Sequence, residues 1–109
     1  MKLSKINAGL EAEKLAATFL INHGLKLVTQ NYHCHSGEID LIMKDANALV
    51  FVEVRLRSNS RFGSAGATIT PQKQQKLIAT AQHYLQLHDD TACRFDAILF
   101  SNNQLQNIE

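Results

Sequence analysis

The sequence predicts a three-layer α/β domain in which a mixed central β-sheet carries a hairpin and helices cover its faces. Three observations lead there: a helical apolar pattern ending at a glycine near the start, two strand-like segments joined by a short polar connector, and a second helical segment opening on Thr70-Pro71 ahead of a further strand. The order α-β-β-β-α-β, with a short last strand, buries its apolar faces most simply by layering helices on the sheet. The 109 residues suffice for one core and not for two, so 1–109 is expected to form a single domain.

Each element has its own signal. Over 7–23 the residues Leu10, Leu15, Ala16, Phe19 and Leu20 recur near helical spacing, and Gly24 stands where a left-handed cap ends a helix. Segment 25–33 opens with Leu25, Leu27 and Val28 and reads as a strand, with turn chemistry after it at Ser36-Gly37. Segments 38–44 and 48–57 are rich in β-branched and aromatic residues, and the connector Asp45-Ala46-Asn47 is short, so they form a hairpin. The polar stretch 58–69, with Gly63 and Gly66, reads as a mobile loop. Thr70 is placed as an N-cap with Pro71 in the first turn of a helix running to Leu87, which is expected to bury Leu77, Ile78, Ala81, Tyr84 and Leu85. Segment 93–100 carries Phe95, Ile98, Leu99 and Phe100 and reads as a strand, with 105–108 as the short last one.

Composition removes several classes of function. A hydrophobic fraction of 45% with 19% charged residues is that of a folded chain and not of a disordered one. Cys34 and Cys93 form no CxxC pair, which argues against a zinc framework and for reduced thiols. No segment approaches the roughly 20 apolar residues that cross a bilayer, so a soluble, cytoplasmic protein without membrane contact is expected. The net charge of +1 does not announce a nucleic-acid binder, and any such case rests on where Arg55, Arg57, Arg61, Lys73 and Lys76 sit.

The hairpin carries the chemistry. Side chains alternate along a strand, so Glu38, Asp40 and Ile42 share one face while Ile39, Leu41 and Met43 share the other. On the next strand Leu49, Phe51, Glu53, Arg55 and Arg57 lie opposite Val50, Val52, Val54 and Leu56, and the valine set is core. A turn centred on Ala46 and Asn47 sets Asp40 across from Glu53 and Glu38 across from Arg55. A slip by one residue moves Asp40 beside Val54 on the apolar face, so the hydrophobic pattern enforces the acidic pairing. Directly opposed Cβ atoms lie roughly 5 Å apart, and two carboxylates there repel unless something neutralises them. Magnesium suits the pair because it keeps much of its water and takes one or two protein carboxylates. The competing reading is structural, with both acids bonded to nearby arginines or backbone.

Gly37-Glu38-Ile39-Asp40-Leu41-Ile42, with Val50-Phe51-Val52-Glu53-Val54-Arg55 beyond a short turn, resembles the signature of the YraN-like family of uncharacterised bacterial proteins. Glu13, Ala16, Asn31, Phe62-Gly63, Lys73 and Arg94-Phe95-Asp96 match as well, so the likeness runs from about Gly9 to Leu99. The resemblance implies a restriction-endonuclease-like fold, distantly similar to archaeal Holliday-junction resolvases. It also implies an endonuclease that hydrolyses phosphodiester bonds in DNA, including branched DNA, with Mg2+ or Mn2+ as cofactor and a homodimer as the working form. Its nuclease motif falls on Asp40, Glu53 and Arg55: the two acids hold the metal, and Glu13 from the first helix assists. The sequence departs from the motif at Arg55, where the superfamily has lysine. Arginine keeps its proton and cannot act as a base, although it stabilises charge on a phosphate. Lys73, at the start of the second helix, is the candidate to supply the missing ammonium.

Other candidates have simpler readings. His33-Cys34-His35 has no second ligand cluster to complete a metal site, and on a strand the histidines face away from the cysteine. Arg55, Arg57, Arg61 and Lys73 are placed to grip phosphates in a salt-dependent way, with a solvated strand end as the competing reading for Arg61. Gln72 and Lys76 read as solubilising helix residues, and Arg94 with Asp96 reads as an ion pair along one strand face. A non-catalytic nucleic-acid-binding module and a structural partner in a larger assembly remain as alternative functions.

Overall fold

Both faces of the middle strands are apolar, and the fold results from covering both. Residues 49–53 are buried without interruption, as are 41–43, a pattern foreign to a sheet with one wet face. The structure, a computed structural model, describes residues 8–57, 69–88, 91–101 and 104–108. Its elements are α1 (Ala8–Asn22), β1 (Lys26–Cys34), β2 (Gly37–Asp45), β3 (Ala48–Arg57), α2 (Pro71–Leu87), β4 (Cys93–Ser101) and β5 (Gln104–Ile108). The strands lie in the order β1-β2-β3-β4-β5, antiparallel except for β3 and β4. Parallel neighbours cannot be joined by a tight turn, and the chain returns from β3 to β4 through α2. The predicted mixed sheet is therefore present between two helices, an arrangement compatible with three layers.

Helix α1 meets one face through Ala12, Ala16, Ala17 and Leu20, which pack against Leu41, Met43, Val50, Val52 and Ile98. Alanines let a helix approach a sheet closely, because they add little thickness between backbones. The helix ends at Gly24, whose φ of +94° and bonds from Gly24 N to Ile21 O and Leu25 N to Leu20 O close it in the left-handed manner expected. Helix α2 covers the other face with Leu77, Ala81 and Tyr84 against Ile39, Ile42, Leu49 and Phe51, and Tyr84 stands edge-on to Tyr32 at 5.2 Å. Its start is as predicted: Lys73 N–H donates to Thr70 Oγ1 and Pro71 occupies the first turn. Ile78, expected in the core, is instead 46% exposed, since it lies about 100° around the helix from Leu77 and turns off the sheet. Leu85 is only partly buried.

The hairpin register is the predicted one from Leu41↔Val52 to Asp45↔Ala48, and the alternation of faces is not. Ile39, expected beside Leu41 and Met43, packs with Ile42, Leu49 and Phe51 under α2. The reversal coincides with Asn31 on the neighbouring strand, which has φ +53° between the pairs Gln30↔Leu41 and Tyr32↔Ile39. A left-handed residue within a strand rotates the residues after it out of the pleat, so β1 and β2 exchange faces together at Asn31 and Asp40. The β2–β3 pairing ends at Leu41↔Val52, so the cross-strand pairs predicted beyond it do not continue as a ladder. Glu38 accordingly pairs with His33 at 3.2 Å instead of Arg55.

The loop expected at 58–69 lies outside the described residues up to 68, with Arg61, Phe62, Gly63 and Gly66 among those omitted. Among the described residues no helix is long and apolar enough to cross a membrane.

Two turn positions give opposite expectations. Gly37 has φ +147°, and a Cβ there meets Thr80 Oγ1 at 3.1 Å, so Gly37→Ala should lower stability by about 1–3 kcal/mol. Ala46 has φ +54°, so Ala46→Gly should be neutral or stabilising by up to about 1 kcal/mol, the relief of left-handed strain exceeding the added chain entropy. Paired urea unfolding of both variants checks the signs.

Candidate active site

Where the β2–β3 ladder stops, side chains take over from backbone. Val54 N–H donates to Oδ2 of Asp40 over 2.8 Å, so the carboxylate satisfies a β3 amide just past the last backbone pair. This bond turns Asp40 toward β3, where it also hydrogen-bonds Glu53. The two acids proposed from the register are therefore neighbours, joined by their carboxyl groups.

Glu53 is only 6% exposed, which is rare for a carboxylate without compensating charge. Its compensation comes from two elements. Arg55 Nε lies 3.3 Å from Oε2 along the same strand, and Lys73 Nζ reaches the same oxygen at 3.2 Å from the first turn of α2. The Arg55 contact is an ion pair by distance without a directed hydrogen bond, and its buried Nε–H has no hydrogen-bond partner. That N–H lies beside the Glu53 carboxylate.

Burial is the first cause that pushes the Asp40 carboxyl up to about 7; the Val54 N–H opposes it, while the hydrogen bond to Glu53 and the charges of Glu53 and Glu13 add to it. Glu13 is raised as well, by burial first, with hydrogen bonds to Asn31 and Asp40 lowering it and the charges of Glu38 and Glu53 raising it. Glu13, Asn31, Asp40 and Glu53 thus meet at one place, although they come from α1, β1, β2 and β3. Sequence reasoning gives Asn31 no role beyond its part in a pattern. The signal available was an asparagine inside a strand, a poor β-former that tolerates the left-handed region.

Among the described residues no group of three or more His, Cys, Asp or Glu side chains is placed to hold a metal ion. A pair fits magnesium, which takes one or two protein carboxylates and keeps its water. Two carboxyl groups sharing a hydrogen bond are also a site where a cation can replace a proton. The donor set of Asp40 and Glu53 therefore fits magnesium, with Lys73 as the group that competes for Glu53.

The remaining candidates separate cleanly. Arg55 and Lys73 are at the site. Arg61 lies outside the described residues, and of Arg57 only the backbone closing β3 is described. Arg94 pairs with Asp96 at 3.2 Å, as expected, and also with Asp45 at 3.0 Å, a structural bridge between β4 and the hairpin turn. His35 and His83 have ring centroids 5.8 Å apart, while Tyr32 Oη and His83 Nδ1 hydrogen-bond at 2.6 Å, so this edge is an aromatic contact and not a ligand set. Lys76 joins Lys73, His33 and Glu38 around a recess of about 410 Å³.

Comparison with known proteins gives relatives over nearly the whole chain. The UPF0102 protein of Nitrosospira multiformis is 53% identical over 102 residues, covering 93% of this chain and 86% of its own length. That of Nitrosomonas europaea is 54% identical over 104 residues, covering 94% and 88%. That of Methylobacillus flagellatus is 52% identical over 101 residues, covering 93% and 89%. The family model matched, over residues 12–100, includes Glu13, Asp40, Glu53, Arg55 and Lys73, and by this match and these identities the chain belongs to the uncharacterised protein family UPF0102.

Proposed function

We propose that the protein is a magnesium-dependent endonuclease of restriction-endonuclease-like fold that hydrolyses phosphodiester bonds in DNA. The observation that carries the reading is the pairing of the half-buried Asp40 carboxyl with the buried Glu53 carboxylate, with Arg55 and Lys73 at its edge. The Val54 amide accounts for one oxygen of Asp40, and it does not require a second carboxylate beside it, so the pairing of two acids points to a cation. Bound between Asp40 and Glu53, Mg2+ or Mn2+ would polarise a phosphate oxygen and lower the pKa of a coordinated water.

The chain's own residues do the rest. Asp40 would hold the ion as a carboxylate, its proton passing to solvent, and Val54 N–H fixes the orientation of that carboxylate. Lys73 moves its ammonium from Glu53 to the phosphate, supplying from α2 the cation that the strand motif lacks. Arg55 offers its unpartnered Nε–H to a phosphate oxygen as negative charge develops there. Glu13 adds negative charge on the α1 side, which raises the affinity of the site for a divalent cation.

A second reading, a DNA-binding module without cleavage, is favoured by one observation: Lys73 and Arg55 already neutralise Glu53. Cleavage assays on branched and single-stranded DNA with magnesium decide between them. Glu53→Gln should lose cleavage altogether, and Lys73→Ala should slow it by about 100- to 1,000-fold, the usual cost of one transition-state donor. Unchanged cleavage in Lys73→Ala would remove Lys73 from the chemistry, and salt-sensitive DNA binding without any cut would establish the second reading.

Asp40 adds a pH signature. Its folded-state value of about 7 lies above the ordinary 3.8, so the folded protein keeps a proton that the unfolded chain releases between these values. Stability without metal should fall as pH rises through that window. Magnesium should raise Tm at pH 8 and have little effect at pH 5, where the proton occupies the site. Asp40→Asn should flatten the pH dependence and abolish the magnesium shift, as differential scanning calorimetry across the range will show.

A further inference from the structure

An apolar groove of about 370 Å³ opens directly beside Glu53, between the start of α2 and strands β3 and β4. Phe51, Leu77, Ile78 and Phe95 are the large apolar groups that line it, with Gln74 and Asp96 among its polar ones. Phe95 and Ile78 are 42% and 46% exposed, so the groove is lined by large apolar groups that keep much of their surface open. The Phe95 ring leans on Phe51 with centroids 5.4 Å apart and an interplanar angle of 32°, which fixes its orientation. The Gln74 carboxamide is anchored by a bond from Nε2 to Ile69 O and carries donor and acceptor atoms in one plane.

We infer that this groove receives an unstacked nucleobase of the DNA strand next to the bond being cut, with Phe95 as its stacking platform. The inference rests on the endonuclease reading, because it takes the phosphate of that nucleotide to lie at Asp40 and Glu53. Three features select a base as the occupant. An exposed aromatic ring on a rigid support offers a face to any base, and the Gln74 amide offers polar atoms to a base edge. The carboxylate of Glu53 at the groove's end disfavours an anion inside it, so the uncharged part of a nucleotide enters while its phosphate remains with the cation. A base is linked to its phosphate through a single sugar, which matches a groove and a carboxylate that share a wall.

The consequence is a substrate preference. A base can occupy the groove only when it has left its own stack, which is costly in an intact duplex and much less so in a single strand or at a junction. Unpaired nucleotides beside the scissile bond are then the feature that the protein selects, ahead of any base sequence, since every base has a face to stack.

The test compares binding of a fluorescein-labelled oligothymidylate and of a blunt duplex of equal length, by anisotropy, with calcium in place of magnesium. Phe95→Ala should weaken binding to the single strand by about 10- to 100-fold, the range of one lost stacking platform. Phe95→Leu, which keeps the apolar volume, should lose most of the same affinity, and Phe95→Tyr should restore it. All three should retain the wild-type magnesium shift in Tm, showing that fold and metal site are intact. Wild-type affinity of Phe95→Leu for the single strand, or equal wild-type affinity for blunt duplex and single strand, overturns the inference and leaves the endonuclease reading standing. A wild-type protein that binds neither oligonucleotide and cuts no DNA overturns both.

Discussion

The bond from Val54 N–H to Asp40 Oδ2 is the contact on which the site depends. It forms because the β2–β3 ladder ends at Leu41↔Val52 while β3 continues, leaving an amide that must find an acceptor in a buried place. The acceptor is a carboxylate, and the same bond that completes the backbone turns that carboxylate toward Glu53. Glu53 is buried and Asp40 half-buried there, between the face that α1 covers and the face that α2 covers.

Burial then sets the electrostatics. A lone ionised carboxylate at this depth would be costly, and the structure compensates the two acids differently. Glu53 is held by Arg55 and Lys73, while Asp40 takes up a proton near neutral pH. The result is a site with net appetite for positive charge, met without metal by a proton and an ammonium. In the proposed chemistry both would yield to a divalent cation and a phosphate.

The two helices do different things around this centre. Through its alanines α1 approaches the sheet closely enough to add Glu13 to the acidic group. Helix α2 contributes Lys73 from its first turn, and its next residues form one wall of the groove beneath Phe95. The paired carboxylates and the apolar groove are thereby joined through Glu53.

Hydrophobic periodicity and turn chemistry are local properties, and they make much of the chain legible. The two helices, the Gly24 cap, the Thr70-Pro71 start, the five strands and the register of the hairpin all come from residues close in sequence. So does the nomination of Asp40 and Glu53, because register is set by a turn only a few residues away. The exchange of faces at Asn31 and Asp40 is not legible, since it needs two strands to leave the pleat together. The Lys73–Glu53 pair, suggested only by resemblance, and the exposure of Ile78 and Phe95 depend on how α2 lies across the sheet. Sequence by itself determined which residues form strands and which acids stand near one another along the hairpin. Tertiary packing alone decided that Lys73 and Glu13 join them, because these two come from helices whose placement is set by burying two separate apolar faces.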